Sequence, residues 1–222
     1  ISKSIPRNAG GLNARNAFAE EKPPFDEQRL GGSFGGPIAL NRTHFFGAFE
    51  YNNVDNVKIL ALPSSNPFAA QENGIFPAGS NNYLAVGRVD HRFNNAHSLF
   101  SRFAFENQKA LRTGNASSDS NEIDDENRTR SLIVDHNWTL SQNKVNSLRV
   151  HVLKHYIGTV PHSDEVGISR PSITTGRNQV NPQFFPRTRI ELHDTLYVST
   201  SRHDLKFGGD VNLSKVALEF TH

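Results

Sequence analysis

Two histidines four residues apart, His151 and His155, are the first residues whose types suggest chemistry. On a helix that spacing sets both imidazoles over one metal ion. On a strand, at about 3.4 Å per residue, it separates them by roughly 13 Å, too far for one ion to bridge. Their neighbours alternate with a strand period, so ordinary wall residues are expected and no metal site is. Asp119, Glu122, Asp124, Asp125 and Glu126 form an acidic cluster. A calcium loop sets its carboxylates at fixed positions around a glycine turn. Spacing and glycine are both missing here, so a solvated loop is expected, with at most a weak surface cation site. Gly31, Gly32, Gly35 and Gly36 invite comparison with a phosphate-cradling loop. That fingerprint needs glycine at its first, third and sixth positions and then a helix. Ser33 breaks the count, and Pro37 and a turn follow, so the glycines are expected to serve bends, bulges or close backbone approach in a strand.

Cysteine is absent, which excludes disulfides, zinc–thiolate sites and thiol catalysis. No Ser, His and Asp come with an elbow motif, so neither catalysis nor a cofactor is expected. A net charge of +2 leaves no nucleic-acid footprint. Arg88, Asp90, Arg92, Arg102 and Glu106 share the polar parity of one hairpin. Such a set is a solvated face in a soluble protein. In a barrel it lines the lumen, where it can pair across strands or meet a plug domain or solute. Phe45, Phe46, Phe49 and Tyr51 could form a stacking platform, but their alternation fits a lipid face or aromatic girdle better.

These residues must be positioned by strands. In residues 28–39, Leu30, Gly32, Phe34, Gly36 and Ile38 share one parity, and after a polar turn at 40–42 the alternation resumes through Thr43, Phe45, Gly47, Phe49 and Tyr51. Each run is about ten residues, which matches a tilted strand crossing a bilayer. A second hairpin is expected from Tyr83, turning at 94–97. A third sets Leu132, Val134, Trp138, Leu148, Val150 and Val152 against Asp135, Asn137, Arg149 and His151. A fourth begins near Arg187 and turns within 199–204; its apolar parity contains one misfit, Asp194, and its phase becomes uncertain near Lys215. Short turns near 41, 95, 142 and 201 alternate with long loops near 70, 117 and 172. Outer-membrane barrels have that asymmetry, with short periplasmic turns and long extracellular loops. Three long loops are uncommon in a compact soluble domain. The hydrophobic fraction, 36% with 16 Phe, suits a wall with one wet and one greasy face.

The run Leu30, Gly31, Gly32, Ser33, Phe34, Gly35, Gly36, Pro37 and Ile38, followed by Arg42, Thr43, His44, Phe45, Phe46, Gly47, Phe49, Glu50 and Tyr51, resembles the early barrel of Oar-like TonB-dependent outer-membrane receptors. Leu12 to Asn16 resembles the segment that precedes this hairpin in the family. Weaker echoes are Arg88 to Phe93 with His97 to Phe100, and His203 to Gly209. The resemblance implies a larger barrel preceded by a plug domain and a TonB-contacting segment. It also implies energised uptake of a bulky, unidentified solute across the bacterial outer membrane.

The expectation is therefore an all-β, antiparallel transmembrane β-barrel segment of eight strands in four hairpins. Residues 1–27 read as an irregular leading segment or loop and 28–222 as a partial receptor barrel. Ile1 is no initiator, the first residues are polar and Met is absent, so the chain reads as an internal piece of a longer protein. Phe45, Phe49, Leu132, Val134, Trp138, Leu148, Val150 and Val152 are expected to face lipid. Arg88, Asp90, Arg92, Arg102, Glu106, Asp135, Arg149 and His151 are expected to face the lumen. Expected partners are outer-membrane lipid, the protein's own plug, the TonB complex and the solute, with no nucleic acid. The alternatives are an adhesin or structural surface barrel without transport, and a soluble lipocalin-like barrel with its faces reversed.

Overall fold

The computed structural model describes residues 2–3, 22–114 and 118–220. Eight long antiparallel strands follow one another as a meander, each bonded to its sequence neighbours. They are β1 (Asp26–Ala39), β2 (Thr43–Leu60), β3 (Gly74–Arg92), β4 (His97–Leu111), β5 (Ile123–Ser141), β6 (Lys144–Pro161), β7 (Gln183–Ser199) and β8 (Asp204–Val216). The sheet is open. Ser2–Lys3 pairs with Leu30 and Gly31 on the outer edge of β1, and Glu219–Phe220 pairs with Gln183 and Phe184 after β8 ends. That interruption falls where the alternation lost phase near Lys215. The irregular segment expected over 1–27 lies mostly outside the described residues, and β1 starts at Asp26, slightly ahead of the expected boundary.

The four short turns carry their own chemistry. Asn41 takes φ 58°, a left-handed conformation that Asn tolerates better than most residues. The Asn94 side chain accepts from the amides of Ala96 and His97 at 2.8 and 2.9 Å, an Asx turn. Successive turns are also stitched together. The amides of Arg92, Thr139 and Ser199 donate to the carbonyls of Arg42, Ala96 and Asn143 at 2.7, 2.8 and 2.9 Å.

At the opposite end the strands run further than the alternation predicted. Residues 74–82 were expected in a loop and belong to β3; residues 107–111, 123–127, 158–161 and 183–186 likewise extend β4, β5, β6 and β7. The physical reason is that residues 80–82, 107–109 and 124–127 are polar on both faces, while Gly or Pro punctuates 74–79, 158–161 and 183–186. Asn52 opposes Asn82 and Gln108 opposes Asn127, so period-2 patterning vanishes while the backbone ladder continues. The long loops shrink to 61–73, 112–122 and 162–182, and all three remain at one end.

The sheet has no apolar interior. Among the described residues Ile173 is the one buried hydrophobic, whereas Phe34, Phe207 and Leu213 are 68%, 57% and 64% exposed. Burying such a side chain contributes about 1.5–3 kcal/mol, and in water this sheet forgoes that gain over an entire face. The chain alone in aqueous buffer is therefore expected to aggregate through its apolar face and open edges. Analytical ultracentrifugation after refolding without detergent checks this; a monomer with cooperative thermal unfolding would favour the lipocalin-like alternative.

Candidate functional site

Antiparallel partners share a face, so the register carries parity from strand to strand. Phe45 opposes Gly36 and Val89, and Phe49 opposes Gly32 and Ala85. Leu132 lies between Phe103 and Val152, and Val134 between Ser101 and Val150. Val150 and Val152 continue to Leu192 and Ile190. Trp138 opposes Asn146, and Leu148 opposes His136 and Asp194. All eight residues expected to face lipid thus occupy one surface of the sheet. Two features refine it. Phe34 lies over Gly47, where a Cβ would sit 2.9 Å from the ring, so the glycine makes room for the aromatic. Asp194, the misfit, accepts from the Asn146 amide at 2.8 Å, which supplies its carboxylate with a donor on the same face.

The other surface holds all eight residues expected to face the lumen. Arg88 opposes Arg102, and Asp90 opposes Phe100; Arg92 opposes Ser98. Glu106 opposes Thr129 and Phe100 opposes Asp135. Asp135 opposes Arg149 and Ile133 opposes His151. Their bonds are partly across strands and partly within them. Arg88 pairs with Asp90 of its own strand at 2.6 Å and stacks over Phe100 at 4.1 Å. Asp135, 2% exposed, accepts from Arg149 on β6 at 2.8 Å and from Asn137 at 2.9 Å.

His151 sits between Ser131 and Glu191, with Nε2 2.9 Å from the hydroxyl and Nδ1 2.6 Å from the carboxylate. Those distances are the ones a nucleophile, base and orienting acid require. The backbone amides around Ser131, however, serve the ladders with β4 and β6. No preorganised pair of N–H donors is left for an oxyanion, and the three side chains act as a hydrogen-bonded strut across β5, β6 and β7. His155 bonds instead to Asn127 at 2.9 Å, so the two histidines have separate partners. Glu191 was not singled out in the sequence, although its parity against Ile190 and Leu192 marks it.

At the loop end the acidic cluster departs from the expected solvated loop. Glu122 and Asp124 are 1% and 8% exposed. Lys58 of β2 pairs with Glu122, Arg112 with Asp119, and His162 with Asp124 at 3.0 Å. Asp125 accepts from Thr159 at 3.2 Å. Protein cations and donors thus partner these carboxylates. No group of three or more metal-ligating side chains occurs among the described residues. Three loops meet here. The buried Ser118 hydroxyl donates to the Thr174 carbonyl at 2.7 Å, Asn121 donates to Gly176 O at 3.0 Å, and Asn66 donates to Ser172 O at 2.8 Å. Gly176 takes φ +73°, and a Cβ there would lie 2.1 Å from the Val166 carbonyl oxygen, so this tight crossing requires glycine. Burial, then the Asp119 and Glu165 carboxylates, push the Glu72 carboxyl above its ordinary range. Nothing local in the sequence announces the Lys58–Glu122 pairing, since the two are 64 residues apart.

Residues 7–84 and 58–221 match the family model described as outer membrane beta barrel domain. No curated protein matches the chain, and no solved structure does.

The Asp135–Arg149 pair yields a stability prediction. In Arg149→Leu the buried carboxylate loses its cation, at about 1–3 kcal/mol. The Asp135→Leu/Arg149→Leu double variant, which leaves no orphan, is expected to recover most of that loss. Urea unfolding of the full-length protein in detergent, followed by heat-modifiable gel mobility, measures both.

Proposed function

The chain belongs to the outer membrane beta barrel domain family, and from that premise we propose that it is the barrel wall of a TonB-dependent receptor that takes up a bulky solute. Its place is the bacterial outer membrane. What supports the receptor reading is the Gly-Gly-Pro hairpin of β1 and β2, with its sequel on β3 and β4, which is similar to the early barrel of Oar-like receptors. In this reading the protein's own plug fills the lumen and the TonB complex supplies energy. On the same reading the chain performs no chemistry and carries no cofactor; it provides wall and extracellular loops.

The facing follows from solvation. In hydrocarbon every backbone polar group must be bonded internally, and lipid-exposed side chains must be apolar. The surface holding Phe45, Phe49, Leu132, Val134, Trp138, Leu148, Val150 and Val152 meets that demand. The surface holding Arg88, Asp90, Arg92, Arg102, Glu106, Asp135, Arg149 and His151 does not, and it lines the lumen. Aromatics stand near both limits of the apolar surface: Tyr51 with Tyr83 at 4.8 Å and Tyr156 with Phe184 at 5.9 Å toward the loops, and Trp138 against His97 at 5.4 Å toward the turns. That is the arrangement of an aromatic girdle. Short turns at one end and long loops at the other support turns in the periplasm and the folded loop assembly outside.

Arginine on the lipid face at the midplane costs roughly 2–4 kcal/mol, and much less on the lumen face. Val150→Arg is therefore expected to impair assembly of the full-length protein and Ser147→Arg to be tolerated, as read by folded protein in purified outer membranes. The inverse result would reverse the facing. The receptor function is tested separately by formaldehyde cross-linking of the full-length protein in cells. TonB should be captured, and capture should depend on the proton gradient. Proper outer-membrane insertion without any TonB adduct would leave the alternative, a surface barrel or adhesin without transport.

A further inference from the structure

Along the loop-side border of the apolar face runs a row of cations. Arg130 of β5 is directly opposite Lys154 of β6, Lys154 is opposite Thr188 of β7, and Thr188 is opposite Lys215 of β8. The row beneath it is Leu132, Val152, Ile190 and Leu213, in the same register and wholly apolar. Like charges directly opposite each other destabilise a sheet, so Arg130 beside Lys154 calls for an anion. Among the described residues no carboxylate forms an ion pair with Arg130, Lys154 or Lys215. Arg130 donates to the carbonyls of Glu106 and Thr129 and stacks over Phe105 at 4.0 Å. Lys154 and Lys215 are exposed. The acids on this face toward the loops include Glu126, bound to Arg128 at 2.5 Å, and Glu219, which stands opposite Phe184, four residues along β7 from the row at Thr188. The turn-side border of the same strands is different: there Lys144 stands opposite Val198.

We propose that Arg130, Lys154 and Lys215 bind the phosphate groups of a lipid in the outer leaflet, with its acyl chains against Leu132, Val152, Ile190 and Leu213. Neighbouring strands lie about 4.8 Å apart, so the row offers two charge centres one strand apart and a third about two strands further. This spacing suits a headgroup carrying more than one phosphate. The guanidinium can take two phosphate oxygens together, and the two ammonium groups act as point charges. Continuity between the cationic row and the apolar row selects a lipid over a free anion, because a soluble phosphate makes no use of the lower row. The proposal rests on the lipid-facing assignment made above.

The test uses the full-length protein in neutral detergent and bisphosphorylated lipid A as the probe, with native mass spectrometry as the readout. The Arg130→Gln/Lys154→Gln/Lys215→Gln variant should bind at least about tenfold more weakly, since each surface cation near an anionic lipid adds around 1 kcal/mol. Lys144→Gln should bind as the parent does. Lys154→Arg/Lys215→Arg, which keeps the charge, should retain binding, and heat-modifiable mobility should show every variant folded. Dephosphorylated lipid A should bind weakly, and inorganic phosphate should not compete at matched phosphate concentration. Undiminished binding by the folded triple variant would overturn the proposal, and equal competition by inorganic phosphate would reduce the row to a generic anion site. A membrane-soluble diazirine reports the facing independently. Labelling of peptides containing Leu132 and Val152 upholds it, whereas their protection would overturn the facing and the lipid site together.

Discussion

The constraint on which this structure depends is the conservation of parity across its hydrogen-bonded ladders. From β1 to β8 each strand is paired with the next in a register that never exchanges the two faces. The irregularities recorded within the strand pairs fall at the turns, between Pro37 and Ala39 and between Thr139 and Ser141. A slip of one residue between β5 and β6 or between β6 and β7 would send Asp135, Arg149 or Glu191 to the side of the apolar residues of the neighbouring strand. The polar surface guards against that slip. The Asp135–Arg149 bond and the Ser131–His151–Glu191 strut each cross a strand boundary, and they form in one register alone.

Much of the fold was legible because the medium imposes a simple code. Where one face is apolar and the other polar, period-2 alternation identifies the strand, its facing residues and, through intervening turns, its partner. The four hairpins and their turns emerged from that code. It failed where both faces are polar. The loop-side parts of β3, β4 and β5, with Asn81, Asn82, Asn107, Gln108 and Asn127, continue the same backbone ladder without the same side-chain signal, so their strand residues read as loop. The acidic cluster was opaque for another reason. Glu122 looks solvated in sequence because its partner, Lys58, reaches it through tertiary structure, whereas the Arg112–Asp119 pair closes within the loop itself. Likewise Lys154 and Lys215 are unremarkable singly, and their shared row becomes visible only once Thr188 is placed between them.

The two ends of the sheet have been built for different work. At the turn end, backbone amides link each hairpin to the next and leave little chain free. At the loop end, two loops converge on Ser118, Asn121 and Gly176 through hydrogen bonds between side chain and backbone, and Asn66 of the remaining one joins them at Ser172. Loops held this way retain a defined shape, with Ile173 buried beneath them at 3% exposure. A surface that meets solutes or partners there is consequently a folded one.

The long strands carry an architectural consequence. β3 and β5 each run for 19 residues. At about 3.4 Å per residue and a tilt near 40°, such strands rise roughly 50 Å, about twice the ~25 Å apolar band of an outer-membrane wall. The excess is the loop-side part, and it lifts the loop assembly off the bilayer like the rim of a chimney. Anything approaching from outside meets a hydrated collar of amide side chains well before it reaches the level of the acyl chains.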